Sequence, residues 1–267
     1  MGKKLEGVIF DWAGTTVDYG CFAPVNVFVN IFNVKNIDVT LEEAREPMGM
    51  LKRDHVKAML SMERINGLFL KKFGREWDES DVDAIYADFE KQLFSILENY
   101  TTPVPGVLEL MKKLRDRGLK IGSTTGYTKE MASIVKAGAK AKGYEPEYII
   151  AANEVSKGRP YPYMVFDNME ALELSNVRRV VKVGDTISDI KEAVNAGVWS
   201  VGILKGGSEL GLTQEEVETM NEAELAEKME LVRIKMKRAG ADYVIDEIGK
   251  LEVALDDIEK RLIGKDI

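Results

Sequence analysis

Polar residues suited to phosphoryl chemistry stand at the ends of three apolar runs. Asp11 follows residues 5–10, Thr125 closes the segment LKIGST, and Asp185 follows RVVKVG. A carboxylate can attack phosphorus and form an acyl phosphate, which divides one difficult step into two. Each of these residues alone also fits an ordinary turn. Because ligands of open parallel sheets bind outside the carboxyl ends of the strands, the three together predict a shared crevice.

Two of these residues also suit a magnesium ion. Mg²⁺ prefers hard oxygen ligands and usually takes only a few of them from the protein. Asp11, Asp185 and one backbone carbonyl would be sufficient. Asp189, in the segment GDTISD, is a candidate for supporting the metal site from behind. Because TISD also matches a capping box, Asp189 has the alternative role of beginning a helix, and both roles stay open.

A second group of reactive side chains lies in the segment PMGMLKRDH, residues 47–55. On a helix, Met48, Lys52 and His55 would share one face. A neutral lysine can form an imine with an aldehyde, and the protonated imine accepts electrons, so that a neighbouring carbon can leave phosphorus as an enamine. Since an ordinary lysine has a pKa of about 10.4, a sizeable neutral fraction requires a fall of roughly 2–3 units. Burial beside Met50 and Leu51 would lower the pKa in this way.

Each of these side chains, taken singly, also has an ordinary structural explanation. Most lysines are solvated, and His55, the only histidine of the chain, could be a hydrogen-bonded structural residue. Cys21, the only cysteine, would most often be a small buried apolar group. The face shared by Met48, Lys52 and His55 adds some weight to a reactive role, and both explanations stay open at this point.

Short runs of apolar and β-branched residues predict the strands that position these groups. Helical stretches separate most of the runs, and this alternation predicts an α/β fold with a doubly wound parallel sheet. The six runs are LEGVIFD (5–11), LKIGSTTG (119–126), EYIIAA (147–152), RVVKVGD (179–185), VWSVGIL (198–204) and ADYVID (241–246).

The region between the first and second predicted strands has the sequence pattern of helices throughout. TLEE (40–43) and SDVD (80–83) match capping boxes, and apolar residues follow SDVD at helical spacing. We therefore predict an inserted all-helical cap domain over residues 20–100, with NYTTPVPG (99–106) as the returning hinge. Residues 1–19 and 101–267 form the predicted α/β core. Near its end, TQEE (213–216) begins another helical stretch that runs toward Gly240.

Composition excludes several kinds of partner. The net charge is −8 and no long basic block occurs, so nucleic acid and anionic membranes are poor partners. A single cysteine cannot form an intramolecular disulfide. The segment MGKKLEGVIF does not resemble a secretion signal, and no apolar run of about 18 residues is present. These features predict a cytoplasmic globular protein, for which an anionic small substrate remains possible.

Four motifs, in this order, resemble those of the haloacid dehalogenase superfamily: DWAGTTVD, STTG, the basic residue of GRPYP, and GDTISD. The resemblance implies that Asp11 is the nucleophile and that Thr125 with Gly126 binds the phosphoryl group. It implies that Arg159 offsets charge on the phosphoryl oxygens. It also implies that the backbone carbonyl of Ala13 joins Asp11 and Asp185 in holding Mg²⁺.

Ala13 stands where phosphatases of this superfamily carry a second acid. That acid protonates a departing alkoxide, which alanine cannot do. Either the chain is catalytically idle, or its leaving group needs no acid. An enamine leaving from an imine on Lys52 is such a group.

A longer set of segments, covering essentially the whole chain, resembles the phosphonatase family of that superfamily. They are VIFDWAGTTVDYGCFAP, PMGMLKRDHV, GSTTGYT, GRPYPYM and VKVGDTISD. The resemblance implies Mg²⁺-dependent hydrolysis of phosphonoacetaldehyde to acetaldehyde and phosphate by a homodimer, with a Schiff base on Lys52. It also places Met48, His55, Cys21 and Tyr127 around the imine.

Three other functions predict different residues or a different metal requirement. A phosphate-ester phosphatase or phosphomutase would want an acid where Ala13 stands. A dehalogenase would need no Mg²⁺. A non-catalytic binding protein on the same fold would have no need for Asp11, Thr125, Arg159 and Asp185 together.

Overall fold

A parallel sheet forms the core of the computed structural model, which describes residues 4–264. Each of the six predicted runs contains one strand of this sheet. The strands are β1 (Gly7–Phe10), β2 (Lys120–Thr125), β3 (Ile150–Ala151), β4 (Val180–Gly184), β5 (Trp199–Ile203) and β6 (Tyr243–Ile245), in the spatial order β3-β2-β1-β4-β5-β6.

The region between β1 and β2 is helical, as the sequence predicts. It contains α1 (Phe22–Val34), α2 (Leu41–Arg45), α3 (Lys52–Ser61), α4 (Glu63–Phe73) and α5 (Glu79–Ile96). The helices that follow β2 and the later strands are α6 (Val107–Asp116), α7 (Lys129–Ala141), α8 (Tyr163–Ala171), α9 (Ile187–Ala196), α10 (Gln214–Thr219), α11 (Glu222–Ala239) and α12 (Leu251–Gly264). Within residues 4–264, every helix is too short or too polar to cross a bilayer.

Helices cover both faces of the sheet. Val8 and Phe10 of β1 point into the apolar cluster formed with α6, α7 and α12, whereas Ile9 packs on the opposite face with α8 and α9. Successive side chains of a strand face opposite sides, so an apolar strand such as β1 needs both layers. The predicted doubly wound α/β architecture is therefore confirmed.

The strand order brings the predicted polar residues to one edge. Phe10 pairs in parallel register with Ser123 of β2 and with Val183 of β4. The carboxyl ends of these three central strands consequently lie side by side. The order of the strands reverses around β1, which is where open α/β sheets bind their ligands.

Capping boxes begin three of the helices where the sequence predicts them. Thr40, Thr186 and Thr213 each accept a hydrogen bond from the backbone of the acid three residues later, and each acid accepts from the backbone of its threonine. These reciprocal bonds satisfy amides that a helix start would otherwise leave without partners.

Two predicted helix positions are wrong. Asp78, not Ser80, caps α5, because its carboxylate accepts from the amide of Ser80 and pairs reciprocally with Asp81. The helical stretch after Thr213 is also interrupted, since the side chain of Asn221 caps a new helix, α11, at that point. Both acceptor side chains satisfy free amides locally and so fix the helix starts.

The two chain crossings between the sheet and the helical insertion run side by side. The amide of Val104 donates to the carbonyl of Thr16 at 2.9 Å, and the amide of Asp18 donates to that of Thr102 at 3.3 Å. This pairing is compatible with a hinge at residues 99–106. The domain boundaries at residues 19/20 and 100/101 stay predictions, and residues 1–3 and 265–267 lie outside the described part.

Candidate active site

A small cavity lies between the carboxyl edge of the sheet and the helical insertion. Its volume is about 20 Å³, which leaves room for little more than a water molecule. It is lined by Asp11, Ala13, Cys21, Pro24, Met48, Gly49, Lys52, Thr125, Gly126, Tyr127, Arg159 and Thr186. The predicted site residues missing from this lining are His55, Asp185 and Asp189, which lie behind it.

Arg159 holds the predicted nucleophile. Its Nη2 donates to Asp11 Oδ1 at 2.7 Å, and both side chains are buried. Burial raises the pKa of Asp11, while the guanidinium of Arg159 opposes this change. The guanidinium of Arg159 therefore fixes one carboxylate oxygen of Asp11. The same positive charge would stabilise the oxygens of a phosphoryl group bound beside Asp11.

Three carboxylates meet beside this contact. Oxygens of Asp11, Asp185 and Asp189 lie within 4.8 Å of one another, and all three residues are buried. Burial, followed by repulsion from Asp11 and Asp189, raises the pKa of Asp185 well above its usual range. Asp185 is fixed by the hydroxyl of Thr15 and by the amide of Ser208, which donates to Oδ2 at 2.7 Å.

This cluster fits a hard divalent cation by its own chemistry. Its donors are oxygens, as Mg²⁺ requires, and adjacent buried carboxylates are costly without a counter-charge. Ala13 lines the same cavity, on the loop that follows Asp11. Asp11, Ala13 and Asp185 are thus compatible with the predicted metal site, whose ligand set stays a prediction.

Asp189 begins a helix, which is one of its two predicted roles, and its carboxylate also lies in the cluster with Asp11 and Asp185. It completes the capping box of α9 with Thr186, and its Oδ1 accepts from Lys182 Nζ at 2.7 Å. Burial by itself would raise the pKa of Asp189, but the positive charges of Arg159 and Lys182 outweigh this effect and hold the pKa below its usual range. The residue therefore links the helix start to the cluster of carboxylates.

Lys182 and Glu192 are two buried charges that the sequence reasoning missed. Glu192 Oε2 accepts from Arg159 Nε at 3.0 Å and lies 3.7 Å from Lys182 Nζ. The hydroxyl of Thr124 bridges Glu192 and Arg159. A usable signal was present, because a lysine inside an apolar strand covered on both faces must find a buried partner.

Lys52 enters the cavity from the helical side. Its side chain is 4% exposed, with Nζ 3.9 Å from the sulfur of Met48 and 5.5 Å from the centroid of the Tyr127 ring. Burial lowers the pKa of Lys52, and Arg159 adds to this effect, whereas Cys21 and the carboxylates oppose it. The direction is the one that imine formation requires.

The predicted shared helix face is wrong for Met48. The helix α3 begins at Lys52, and Met48 lies in the turn before it, where Gly49 has a φ of +85°. A left-handed residue interrupts a helix, so residues 48–50 cannot continue α3 toward its N-terminus. Met48 nevertheless reaches Lys52 because the turn folds back onto the helix start.

His55 lies inside the helical insertion, behind Lys52. Its ring stacks on Phe28 with the centroids 3.8 Å apart, and Nε2 lies 2.9 Å from the carbonyl oxygen of Ala44. Burial and the nearby Lys52 lower its pKa well below the usual range, so the imidazole is neutral. The structure thus gives His55 structural contacts, and its catalytic role stays a prediction.

Cys21 and Asp18 hold the first crossing into the helical insertion. Both have a φ of +53°, and Asp18 accepts from the amides of Phe22 and Ala23 at the start of α1. Burial raises the pKa of the Cys21 thiol well above its usual range, so it faces the cavity as a neutral group. Asp18 was not predicted, because its capping role depends on this left-handed turn.

Comparisons with known proteins agree with this geometry. A family model of haloacid dehalogenase-like hydrolases matches residues 5–197. The phosphonoacetaldehyde hydrolase of Parabacteroides distasonis is 52% identical over 260 residues, which are 97% of this chain and 98% of that protein. The phosphonoacetaldehyde hydrolase of Bacillus cytotoxicus is 53% identical over 258 residues, with the same coverage of 97% and 98%.

A longer relative contains a similar region within a larger protein. The bifunctional phosphonoacetaldehyde hydrolase/aminoethylphosphonate transaminase of Clostridioides difficile is 57% identical over 99% of this chain. The chain spans only 42% of the length of that protein.

Solved structures show the same architecture. The crystal structure of a phosphonoacetaldehyde hydrolase-like protein from Oleispira antarctica has a TM-score of 0.95 at 36% identity, covering 98% of this chain and 95% of that one. A β-phosphoglucomutase from Clostridium difficile has a TM-score of 0.67 at 16% identity, covering 98% of this chain and 100% of that one. The second likeness shows a common fold only.

Proposed function

This chain belongs to the haloacid dehalogenase-like hydrolases and, among them, to the phosphonoacetaldehyde hydrolases, and from this premise we propose that it hydrolyses phosphonoacetaldehyde to acetaldehyde and phosphate through an imine on Lys52. The observation that carries the proposal is the shared cavity. Asp11 from the edge of the sheet and Lys52 from the helical insertion line the same small cavity. An aspartate suits attack on phosphorus, and a lysine suits the aldehyde carbon two bonds away.

The first half of the reaction begins at the lysine. Neutral Lys52 adds to the aldehyde carbon, water leaves, and the resulting imine is protonated on nitrogen. A carboxylate oxygen of Asp11 then attacks phosphorus as the carbon–phosphorus bond breaks. The electron pair of that bond moves into the imine and leaves an enamine, so no alkoxide forms and Ala13 needs no acidic side chain.

The second half restores both residues. The enamine takes a proton on carbon, and water releases acetaldehyde from Lys52. A second water hydrolyses the acyl phosphate on Asp11 and releases phosphate. Arg159, held by Glu192 and Thr124, supplies positive charge to the phosphoryl oxygens in both transfers.

Mg²⁺ is the cofactor of this proposal, with Asp11, Asp185 and the carbonyl of Ala13 as its ligands. Bound there, it would supply Lewis-acid stabilisation of the phosphoryl oxygens. Asp189 and Lys182 support the site by fixing the neighbouring carboxylates and the Arg159 guanidinium.

A direct assay tests the activity. Purified protein supplied with Mg²⁺ should release acetaldehyde and phosphate in equal amounts from phosphonoacetaldehyde, and chelation should stop the release. Borohydride added with acetaldehyde should fix a two-carbon adduct on Lys52, located by peptide mapping. Lys52→Arg should lower turnover by about a thousandfold or more, because arginine keeps the charge but cannot form the imine.

Lys57→Arg is the matched control for this experiment. Lys57 lies on the same helix, is exposed, and pairs with Glu79, so its replacement should leave turnover unchanged. Substantial turnover by Lys52→Arg, or an adduct located on another lysine, would contradict the imine while leaving the hydrolase assignment in place.

A homodimer and a cytoplasmic location complete the proposal. The homodimer rests on the resemblance to phosphonatases, and the cytoplasmic location rests on the composition, above all the single cysteine. The dimer can be checked by measuring the molar mass of the protein in solution. A monomer with full activity would contradict the dimer.

A further inference from the structure

Arg45 ties the helical insertion to the loop that follows β5. It is the last residue of α2, and its Nη1 donates to the carbonyl of Gly20 at 2.8 Å and to the carbonyl of Ser208 at 3.3 Å. Its Nη2 donates to the carbonyl of Gly211 at 3.4 Å. One guanidinium therefore joins three parts of the chain: the helical insertion, the crossing at residue 20, and the core loop.

These contacts use the guanidinium in an unusual way. None of the ion pairs found within residues 4–264 includes Arg45, so its charge is directed at neutral oxygens in the described part of the chain. The carbon of the guanidinium also lies 4.8 Å from the centroid of the Phe22 ring at the start of α1. The planar guanidinium, with its five N–H donors, can bind the carbonyls of Gly20, Ser208 and Gly211 together, whereas the ammonium of a lysine could not reach all three at once.

The core loop is shaped to receive this side chain. Gly211 has a φ of +67°, and a Cβ added there would lie 2.8 Å from Nε of Arg45. The amide of Gly20 also donates to the carbonyl of Gly206 at 2.7 Å, which draws the crossing onto the same loop. The fit therefore depends on residues of the core as well as on Arg45.

Both ends of this contact lead to reactive groups. Ser208 donates its amide to the predicted metal ligand Asp185 at 2.7 Å. On the other side, the carbonyl of Arg45 accepts from the amide of Met48, which begins the turn that leads to Lys52. Gly49 in that turn passes so close to Thr186 that a Cβ would lie 2.5 Å from its hydroxyl oxygen.

We propose that Arg45 is a latch that holds the helical insertion closed over the core, so that Lys52 and Asp11 share one cavity. Arg45 is a positioning residue, because it acts through the turn that carries Met48 and Lys52. The inference rests on the proposed function, since closure matters to catalysis only if both residues act on one substrate. Loss of the latch leaves the imine chemistry intact and lowers the closed fraction of the free enzyme.

The kinetic signature of a latch differs from that of a structural residue. When the competent state is only partly populated, the apparent affinity falls by that fraction, and saturating substrate restores closure. Arg45→Lys should therefore raise KM for phosphonoacetaldehyde about tenfold, with kcat within about threefold of the wild type. A residue needed only for folding would lower kcat through loss of active protein and leave KM unchanged.

Two further variants make the test specific. Gly211→Ala, which displaces Arg45 from the core side, should raise KM similarly, and the double variant should lose little more than either single one. Arg64→Lys is the control, since Arg64 pairs with Glu43 inside the helical insertion and should leave KM unchanged. An unchanged KM in both Arg45→Lys and Gly211→Ala, or additive effects in the double variant, would overturn the latch.

Hydrogen exchange separates this proposal from the proposed function. Peptides covering residues 47–52 and 206–211 should exchange faster in Arg45→Lys than in the wild type and in Arg64→Lys. If the wild type does not turn over phosphonoacetaldehyde, the proposed function fails, and the exchange rates still decide whether Arg45 holds the closed state. Equal exchange in all three proteins overturns the latch whatever the activity.

Discussion

At the scale of single residues, the site is a set of charges removed from water. Arg159, Lys182, Asp189 and Glu192 are all buried and neutralise one another. Such a network is costly to assemble, but removing one member leaves its partners charged and unpaired. Its value here is orientation, because it fixes the guanidinium that holds Asp11.

Lys182→Met tests this view of the network. Replacing the buried lysine leaves Asp189 and Glu192 with only Arg159 as a cationic partner, and should lower the free energy of unfolding by about 3–5 kcal/mol. Urea unfolding monitored by circular dichroism measures the loss. Lys112→Met, which removes an exposed pair with Asp116, should cost less than about 1 kcal/mol. Equal losses in the two variants would mean that the buried network has no special role in stability.

At the scale of elements, helix starts and left-handed turns decide where the reactive groups stand. The α3 helix begins at Lys52 rather than before Met48, and Asp18 starts α1 from a turn with positive φ. Amides at a helix start need acceptors, and Asp18 supplies its carboxylate to two of them. Burial raises the pKa of this carboxyl to about 7.

This raised pKa predicts a pH dependence of stability. Because the folded state binds the proton more tightly than the unfolded state, protonated Asp18 contributes stability that is fully present below about pH 4 and is lost as the pH rises through about 7. The full difference is on the order of 4 kcal/mol. The advantage of the wild type over Asp18→Asn should therefore shrink between pH 4 and 7, and stay constant above about pH 8.

Urea unfolding of both proteins at several pH values checks this expectation. Asparagine can accept one of the two amide hydrogen bonds but cannot titrate. At position 18 it therefore changes the free energy of unfolding by the same amount at every pH. Parallel curves for the wild type and Asp18→Asn across the range would show that Asp18 does not carry the pH dependence.

At the scale of the whole molecule, the cavity is lined by two parts of the chain that fold as separate layers, the sheet and the helical insertion. The edge of the sheet contributes Asp11 and Thr125, and the helical insertion contributes Lys52. Arg45 ties the insertion to the loop whose Ser208 amide holds Asp185 behind the cavity. Burial favours the neutral amine of Lys52 and would strengthen the attraction between the Arg159 guanidinium and the oxygens of a bound phosphoryl group.

Magnesium should therefore stabilise the molecule as a whole. An ion that binds only the folded state at about a hundredfold above its Kd adds about 2.7 kcal/mol. For a chain of this size, the midpoint of thermal unfolding should rise by roughly 5–10 °C. Sodium chloride at matched ionic strength and the Asp185→Asn variant are the controls, and neither should show the rise. The same rise with sodium chloride would assign it to ionic strength.

The sequence by itself determined much of this protein. The six strands, three of the helix caps and the crevice at the ends of β1, β2 and β4 follow from local patterns, because alternation, capping and strand ends are encoded within a few residues. The reactive residue types at positions 11, 52, 125, 159 and 185 are equally visible. Ala13 left two readings, a catalytically idle chain or a leaving group that needs no acid.

Only the tertiary structure decided how these residues meet. Arg45 matters through a partner that lies far away in the chain, the carbonyl of Ser208, so no local pattern could reveal it. The apolar strand around Lys182 signals a buried partner, but only the fold shows that Glu192 and Arg159 complete the network. The burial that lowers the pKa of Lys52 has the same origin. Burial and long-range pairing are properties of packed neighbours, and these neighbours exist only once the chain has folded.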